Sequence, residues 1–333
     1  MSTYELSPCP ICASRRAHEV ADADEVTREV EGLWAFHMRR LRPETPPARL
    51  VDRVAFSQHP PIRVVQCDEC GLVYRNPSER ACELRALYAD DAPDEAVLAS
   101  LFENQRIAYR VQAERLTRET GRAGTGLEVG SYVGAFLIAA REQGWCFEGL
   151  DINERATTFA RAHGCRVTVG DLQSVAGGRR FDAVAIWNCF DQLPDPRRAA
   201  LAARALLAPG GVLAIRVPNG AFYVALRKRL RSPLAPVARA LLAHNNLLTF
   251  PYRSGFTPDA LTALLEHTGF RVQRVVGDVL VPVADEWTRP WAAWEERAIK
   301  RVLRTLARAG RAGTHSAPWI EVYARAVPRR PVD

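Results

Sequence analysis

Two cysteine pairs, Cys9-Pro10-Ile11-Cys12 and Cys67-Asp68-Glu69-Cys70, stand ahead of the segment Leu127-Glu128-Val129-Gly130-Ser131-Tyr132-Val133-Gly134. Two residues between thiols turn the backbone far enough for both sulfurs to reach one ion, so Cys9, Cys12, Cys67 and Cys70 form the thiolate set of a tetrahedral Zn2+. Pro10 within the first pair and Gly71 just after the second supply the turns, the glycine at a position suited to φ > 0. A set with four sulfurs leaves no ligand position for water, which makes the metal structural. A redox dithiol is the rival use of one Cys-x-x-Cys, but two pairs outside a thioredoxin-like βαβ context point to a metal.

These groups need elements to hold them. Ile62 to Gln66 reads as a strand feeding the second pair, preceded by a long polar insert that includes His37 and Pro43-Glu44-Thr45-Pro46-Pro47. From Ser78 to about Thr120, Leu84, Leu87, Leu98, Leu101, Ile107, Val111 and Leu116 recur at helical spacing. Beyond Gly126 the pattern alternates short apolar runs with helices. Strands are expected at 127–129, 145–152, 165–169, 181–187 (after the turn Gly177-Gly178) and 212–217. Helices are expected at 135–143, 154–163 and 197–207, the last stopped by Pro209-Gly210-Gly211. Sustained alternation of this kind defines an α/β doubly wound, Rossmann-like sheet.

Such a sheet binds its ligand at the carboxyl ends of the strands. Gly130 and Gly134 occupy the first strand-to-helix turn, and Asp151 closes the second strand about twenty residues on, where a carboxylate accepts from ribose hydroxyls. NAD and S-adenosylmethionine fit these two features equally. A pyrophosphate cofactor, however, needs Gly-x-Gly-x-x-Gly for close backbone approach, and here Tyr132 stands at the middle glycine. Glu128, inside the strand, is unfavourable beside a pyrophosphate and favourable near an amino group or sulfonium. Each group also has a plainer use: the glycines for tight strand–helix packing, Asp151 as a cap, Asp171 as a turn residue.

At this point the chain resembles the class I S-adenosylmethionine-dependent methyltransferases over nearly all of residues 126 to 275. The matching residues are the glycine segment above, Gly149-Leu150-Asp151-Ile152, Gly170-Asp171-Leu172, Phe181-Asp182-Ala183-Val184, Gln192-Leu193-Pro194-Asp195-Pro196, Leu207-Ala208-Pro209-Gly210-Gly211 and Thr268-Gly269-Phe270. More narrowly, Cys9-Pro10-Ile11-Cys12 with Cys67-Asp68-Glu69-Cys70-Gly71-Leu72-Val73-Tyr74-Arg75-Asn76-Pro77 is similar to bacterial methyltransferases with a zinc module, sugar C-methyltransferases of nucleotide-sugar pathways among them. The resemblance implies that Glu128, Gly130 and Gly134 hold the methionine part of the cofactor, Asp151 the ribose, and Asp171 with Leu172 the adenine, while Asn188 approaches the methionine end. Tyr132 departs from the small residue usual in the glycine turn. Asp191-Gln192 departs from the Glu-His that often precedes Leu-Pro-x-Pro.

Acceptor-binding groups are expected in the insertion after the fifth strand. His244 and Tyr252 are its candidates for base or substrate contact, since histidine titrates near neutrality and tyrosine donates to an acceptor oxygen; a capping or packing role is the plainer use of a loop histidine. Trp287, Trp291 and Trp294, at i, i+4 and i+7, are expected on one helical face, packed in the core in preference to stacking on the acceptor or joining a homodimer. The expected organisation is a zinc-binding module over 1–80, a helical connector over 81–120 that covers the pocket, and a methyltransferase domain over 121–333 with insertions near 220–256 and 284–315.

Across 333 residues, 45 basic and 38 acidic side chains are largely interspersed, so the net charge of +7 reads as a solvated arginine-rich surface. Arg227-Lys228-Arg229 with Arg231 is the local exception, able to meet phosphates of a nucleotide sugar, RNA or an anionic membrane. The four remaining cysteines lack framework spacing, which favours a reducing cytoplasm. No basic-then-apolar leader and no membrane span are read. The expected activity is methyl transfer from S-adenosylmethionine to a small or carrier-linked polar metabolite such as a nucleotide sugar. An RNA methyltransferase is the enzymatic rival, disfavoured because the cysteine pairs do not make a compact finger and no aromatic-basic nucleic-acid surface is evident. A non-catalytic binding module on the same fold is the rival from another class.

Overall fold

The computed structural model describes residues 4–46, 62–90, 94–175, 178–282, 286–308 and 310–327. Residues 47–61 of the polar insert, with Pro47, and Gly177 of the expected turn lie outside the described residues, as does the side chain of Leu87. In chain order the strands are β1 (Tyr4–Glu5), β2 (Ala17–Ala21), β3 (Val64–Cys67), β4 (Val73–Arg75), β5 (Ser78–Glu79), β6 (Thr125–Val129), β7 (Cys146–Asp151), β8 (Val167–Val169), β9 (Phe181–Trp187), β10 (Leu207–Pro218), β11 (Ser254–Gly255), β12 (Phe270–Asp278) and β13 (Trp319–Ala326). They belong to two compact units. The expected boundaries at residues 80 and 120 follow the chain, whereas the units interleave it: Met1–Ser78, Pro218–Leu261 and Val276–Ile320 make one, Glu79–Val217, Thr262–Val275 and Glu321–Asp333 the other.

The second unit carries the expected α/β sheet, with strand order β12-β13-β10-β9-β6-β7-β8. The pairs β10–β9, β9–β6, β6–β7 and β7–β8 are parallel. Because parallel strands bury both faces, β9 (Phe-Asp-Ala-Val-Ala-Ile-Trp) is apolar at all but one position. The chain runs β6, β7, β8 towards one edge and then returns to β9 on the other side of β6, so the topological switch point falls between β6 and β9. Helices start where capping chemistry allows: Asn153 Oδ1 accepts from Ala156 N at 2.7 Å and Asp195 Oδ1 from Arg198 N at 2.8 Å, with Pro196 in the first turn. The helix Glu95–Thr120 ends on Gly121 at φ +82°. Fully buried Glu321 of β13 secures that helix: it accepts from Gln112 Nε2 at 2.6 Å and Tyr323 Oη at 2.9 Å, and pairs with Arg115 at 2.8 Å. The Pro209-Gly210-Gly211 stop lies within β10, where the register shifts between Leu207 and Val212.

In the first unit β11-β4-β3-β2 form a sheet. Ser254 and Gly255, from the insertion, pair with Tyr74 and Val73 beside the second cysteine pair. Its core gathers Val26, Val64, Val73, Tyr223, Leu242 and Phe250. Part of the polar insert is a helix, Ala23–Arg40, capped by Asp22, whose carboxylate accepts from Glu25 N at 2.7 Å. A second helix, Pro290–Ala307, corrects the tryptophan expectation. It starts after Trp287, and Trp291 and Trp294 face solvent, so the three indoles neither share one helix nor pack in the core.

Candidate functional site

The glycine turn is built around the ends of β6 and β7. Gly130 (φ +73°) donates its N–H to Leu150 O at 2.7 Å, a left-handed conformation that favours glycine. There is no room for a side chain either: a Cβ on Gly130 would lie 2.7 Å from Cys189 Sγ, and one on Gly134 2.8 Å from Cys165 Sγ. Tyr132, at φ +45°, donates its N–H to Asp151 Oδ2 at 2.7 Å, while Asp151 Oδ1 accepts from Asn153 N at 2.8 Å. Asp151 thus ties the turn to β7.

Glu128 is the chemical centre of this edge. It is 2 % exposed, and its Oε2 has no hydrogen-bond partner among the described residues. Burial first, and Asp151 second, push its carboxyl well above the usual carboxylate range. Asp151 is raised too, by burial, against the lowering effect of its backbone donors. Two acids held out of water with an orphaned oxygen suit a ligand that brings a cation, which matches the ammonium and sulfonium of S-adenosylmethionine and not a pyrophosphate. Asn188 follows β9 across the switch point at φ +55°, and its Nδ2 lies 3.2 Å from Tyr109 Oη. Trp187 just before it has a buried Nε1 with no partner among the described residues. Sequence reading passed over Trp187, Tyr109 and Cys189, because their places depend on strand order and on a helix from another part of the chain.

Asp171 lies on the loop after β8. Its Oδ1 accepts from Gln173 N (3.0 Å) and Ser174 N (3.2 Å), and its Oδ2 from Arg85 Nη1 at 2.7 Å, so it serves the turn and anchors the helix Ala81–Asp90. That helix also gives Tyr88 O to Asn153 Nδ2 at 2.9 Å, which places it over the ends of β7 and β8. Leu172 is half-buried next to Asp171.

His244 and Tyr252 belong to the first unit. His244 ends the helix Ala235–His244 and is 6 % exposed, its Nε2 3.5 Å from Arg40 Nη1 and its ring edge-on to Phe36. Burial first, and the Arg40 guanidinium second, lower it to about 4, which makes it a weak base at neutral pH. Buried Arg40, Glu296 and Lys300 and half-buried Glu295 complete an ionic cluster around it, with Lys300 Nζ 2.6 Å from Glu296 Oε1. Tyr252 is buried edge-on to Trp319, and its carbonyl accepts from Arg75 Nε at 2.6 Å. Both placements suit packing.

The four sulfurs of Cys9, Cys12, Cys67 and Cys70 lie within 4.8 Å of one another, with Cys9–Cys70 and Cys12–Cys67 at 3.5 Å. Zn–S bonds of about 2.3 Å at tetrahedral angles put sulfurs about 3.8 Å apart, so the donor set and its spacing fit the ion. The first turn closes through Ala13 N to Cys9 O, the second through Gly71 N to Cys67 O with Gly71 at φ +73°.

The profile of a family described as a methyltransferase domain matches residues 102–275, just over half of the chain. Among curated proteins, a ubiquinone biosynthesis O-methyltransferase of Dinoroseobacter shibae is 29 % identical over 146 residues, covering 42 % of this chain and 49 % of the relative. One of the same name from Coxiella burnetii is 24 % identical over 170 residues, covering 48 % of this chain and 69 % of the relative. The chain thus spans about half the length of the first of them. Among solved structures, a SAM-dependent methyltransferase of Archaeoglobus fulgidus aligns with 70 % of this chain and all of its own, at 19 % identity and a TM-score of 0.45. The chain belongs to the methyltransferase-domain family. No helix among the described residues is long and apolar enough to cross a membrane.

Proposed function

We propose that the protein moves a methyl group from S-adenosylmethionine to a small or carrier-linked polar metabolite, a nucleotide sugar being one such acceptor. The observation that carries this reading is the orphaned, buried carboxyl of Glu128 at the switch point, beside a turn that rejects a pyrophosphate. Glu128, Gly130, Gly134 and Asn188 would hold the methionine end, Asp151 the ribose, and Asp171 with Leu172 the adenine. Bound S-adenosylmethionine supplies an electrophilic methyl on a neutral leaving group, so the protein's own work is to orient the acceptor and exclude water. Gly130 and Tyr132 set the turn that follows Glu128 and tie it to the end of β7, and the helix Ala81–Asp90 shields the strand ends near Asp171. Cys9, Cys12, Cys67 and Cys70 would hold a structural Zn2+ that closes the first unit's sheet.

A hydroxyl acceptor is the second reading, favoured by the name shared by the curated relatives. Methyl-labelled S-adenosylmethionine incubated with nucleotide sugars and with phenolic acceptors separates the two. Label on a sugar nucleotide is the expected result, label on phenols alone moves the acceptor to the second reading, and label on neither set contradicts both.

A further inference from the structure

The helix Pro290–Ala307 presents three faces. Ala292, Ala293, Glu296, Lys300, Leu303 and Ala307 turn inward. Trp291, Trp294, Val302 and Leu306 are 43 %, 71 %, 59 % and 51 % exposed, and at helical spacing they share one outward stripe. Single exposed hydrophobes are ordinary, but four along one helix form a patch even though the Arg39 guanidinium lies over the Trp291 ring at 5.5 Å, and the Trp294 indole is the most exposed of them. Beside the stripe runs a row at i, i+4, i+7 and i+11: Arg297, Arg301, Arg304 and, one residue past the helix end, Arg308. These four line a cavity of about 320 Å³ with Pro282 and Thr305, and among the described residues no acid lines it. The helix's own acids point elsewhere, Glu295 to Arg40 and Glu296 to Lys300.

We propose that this helix docks on an anionic phospholipid surface. Trp291, Trp294, Val302 and Leu306 enter the boundary between headgroups and acyl chains, and the arginine row with its cavity takes lipid phosphates. An apolar stripe carrying tryptophan next to a row of cations is the pattern of a helix that lies in a membrane interface. Charge decides the occupant: a second copy of the chain docking through the same face would bring arginine row towards arginine row, whereas an anionic bilayer complements both stripes at once. The proposal is independent of which acceptor is methylated.

The test is co-sedimentation of the full chain with phosphatidylcholine vesicles and with mixed phosphatidylcholine–phosphatidylglycerol vesicles. The expected result is partition onto the mixed vesicles at least about tenfold above the neutral ones, weakened by sodium chloride. Trp291→Ala/Trp294→Ala and, separately, Arg301→Gln/Arg304→Gln are each expected to lower that partition at least about tenfold while melting as the wild type does. If the tryptophan variant fails to fold, the arginine variant and the lipid dependence of the wild type decide. Equal or absent binding to both vesicle types, or folded variants that bind like wild type, overturns the proposal. So does release by inorganic phosphate beyond that of chloride at equal ionic strength, which marks a free-phosphate site. A dimer that Trp294→Ala dissociates without changing vesicle binding assigns the face to a second copy and overturns it as well.

Discussion

At the scale of single residues, Glu128 and His244 are opposite cases of a titratable group taken out of water. Folding raises the Glu128 carboxyl above its ordinary 4.5, so the folded chain holds the proton more tightly than the unfolded chain. Its contribution to stability without cofactor is therefore full below pH 4.5 and lost as pH rises. Glu128→Gln is expected to raise the melting temperature of the cofactor-free protein at mildly alkaline pH, with little effect in acid, and scanning calorimetry across pH checks the sign. For His244 the folded value drops from 6.5 to about 4, so stability is full above pH 6.5 and lost as pH falls towards 4. That shift corresponds to about 3 kcal/mol, and His244→Gln should flatten the acid side of a urea-midpoint profile by a comparable amount. Glu128 stands out in the sequence because an acid inside an apolar strand just before a glycine turn is anomalous on its face. The burial of His244 was not legible, because the polar run His244-Asn245-Asn246 looks like an exposed loop and nothing local announces that Arg40 lies against it, 204 positions away.

Among the elements, the strand-to-helix turn after β6 tolerates the least change. Gly130→Ala meets two penalties, a left-handed backbone and a Cβ 2.7 Å from Cys189 Sγ, and should destabilise the fold by about 1–3 kcal/mol. Because Cys189 Cβ would lie 2.8 Å from the new Cβ as well, Gly130→Ala with Cys189→Gly should recover the steric part and leave the backbone part, as read by the denaturation midpoints of Gly130→Ala, Cys189→Gly and the double variant. The pattern that located this turn, apolar runs alternating with capped helices, is strong because parallel strands are buried on both faces. The helix Ala23–Arg40 escaped for the converse reason: Val26 and Leu33 are its only buried apolar side chains, too sparse a stripe among charges to mark a helix. The three tryptophans had ideal spacing, but Pro290 starts the helix and excludes Trp287. Spacing alone is also blind to which face turns inward.

For the molecule as a whole, the doubly wound order could be foreseen and the interleaving of the units could not. Pairing of Ser254 with Tyr74 joins an insertion to the cysteine-bearing sheet across 180 positions, and no local sequence signal encodes a contact of that range. The cysteine cluster ties the same unit together, through Cys9 and Cys70 at 3.5 Å across 61 positions. Purified protein should carry one zinc per chain by elemental analysis, and stripping it with a chelator should lower stability by several kcal/mol, since a structural site contributes its binding energy to folding. Full stability after metal removal would contradict a structural zinc. The most direct measurement of the central claim is calorimetric titration of S-adenosylhomocysteine into wild type and Glu128→Gln. Saturable one-to-one binding by wild type, weakened at least about tenfold in the variant, is expected if this carboxyl grips the cofactor. Absence of binding by wild type, or equal affinity in the two proteins, would contradict it.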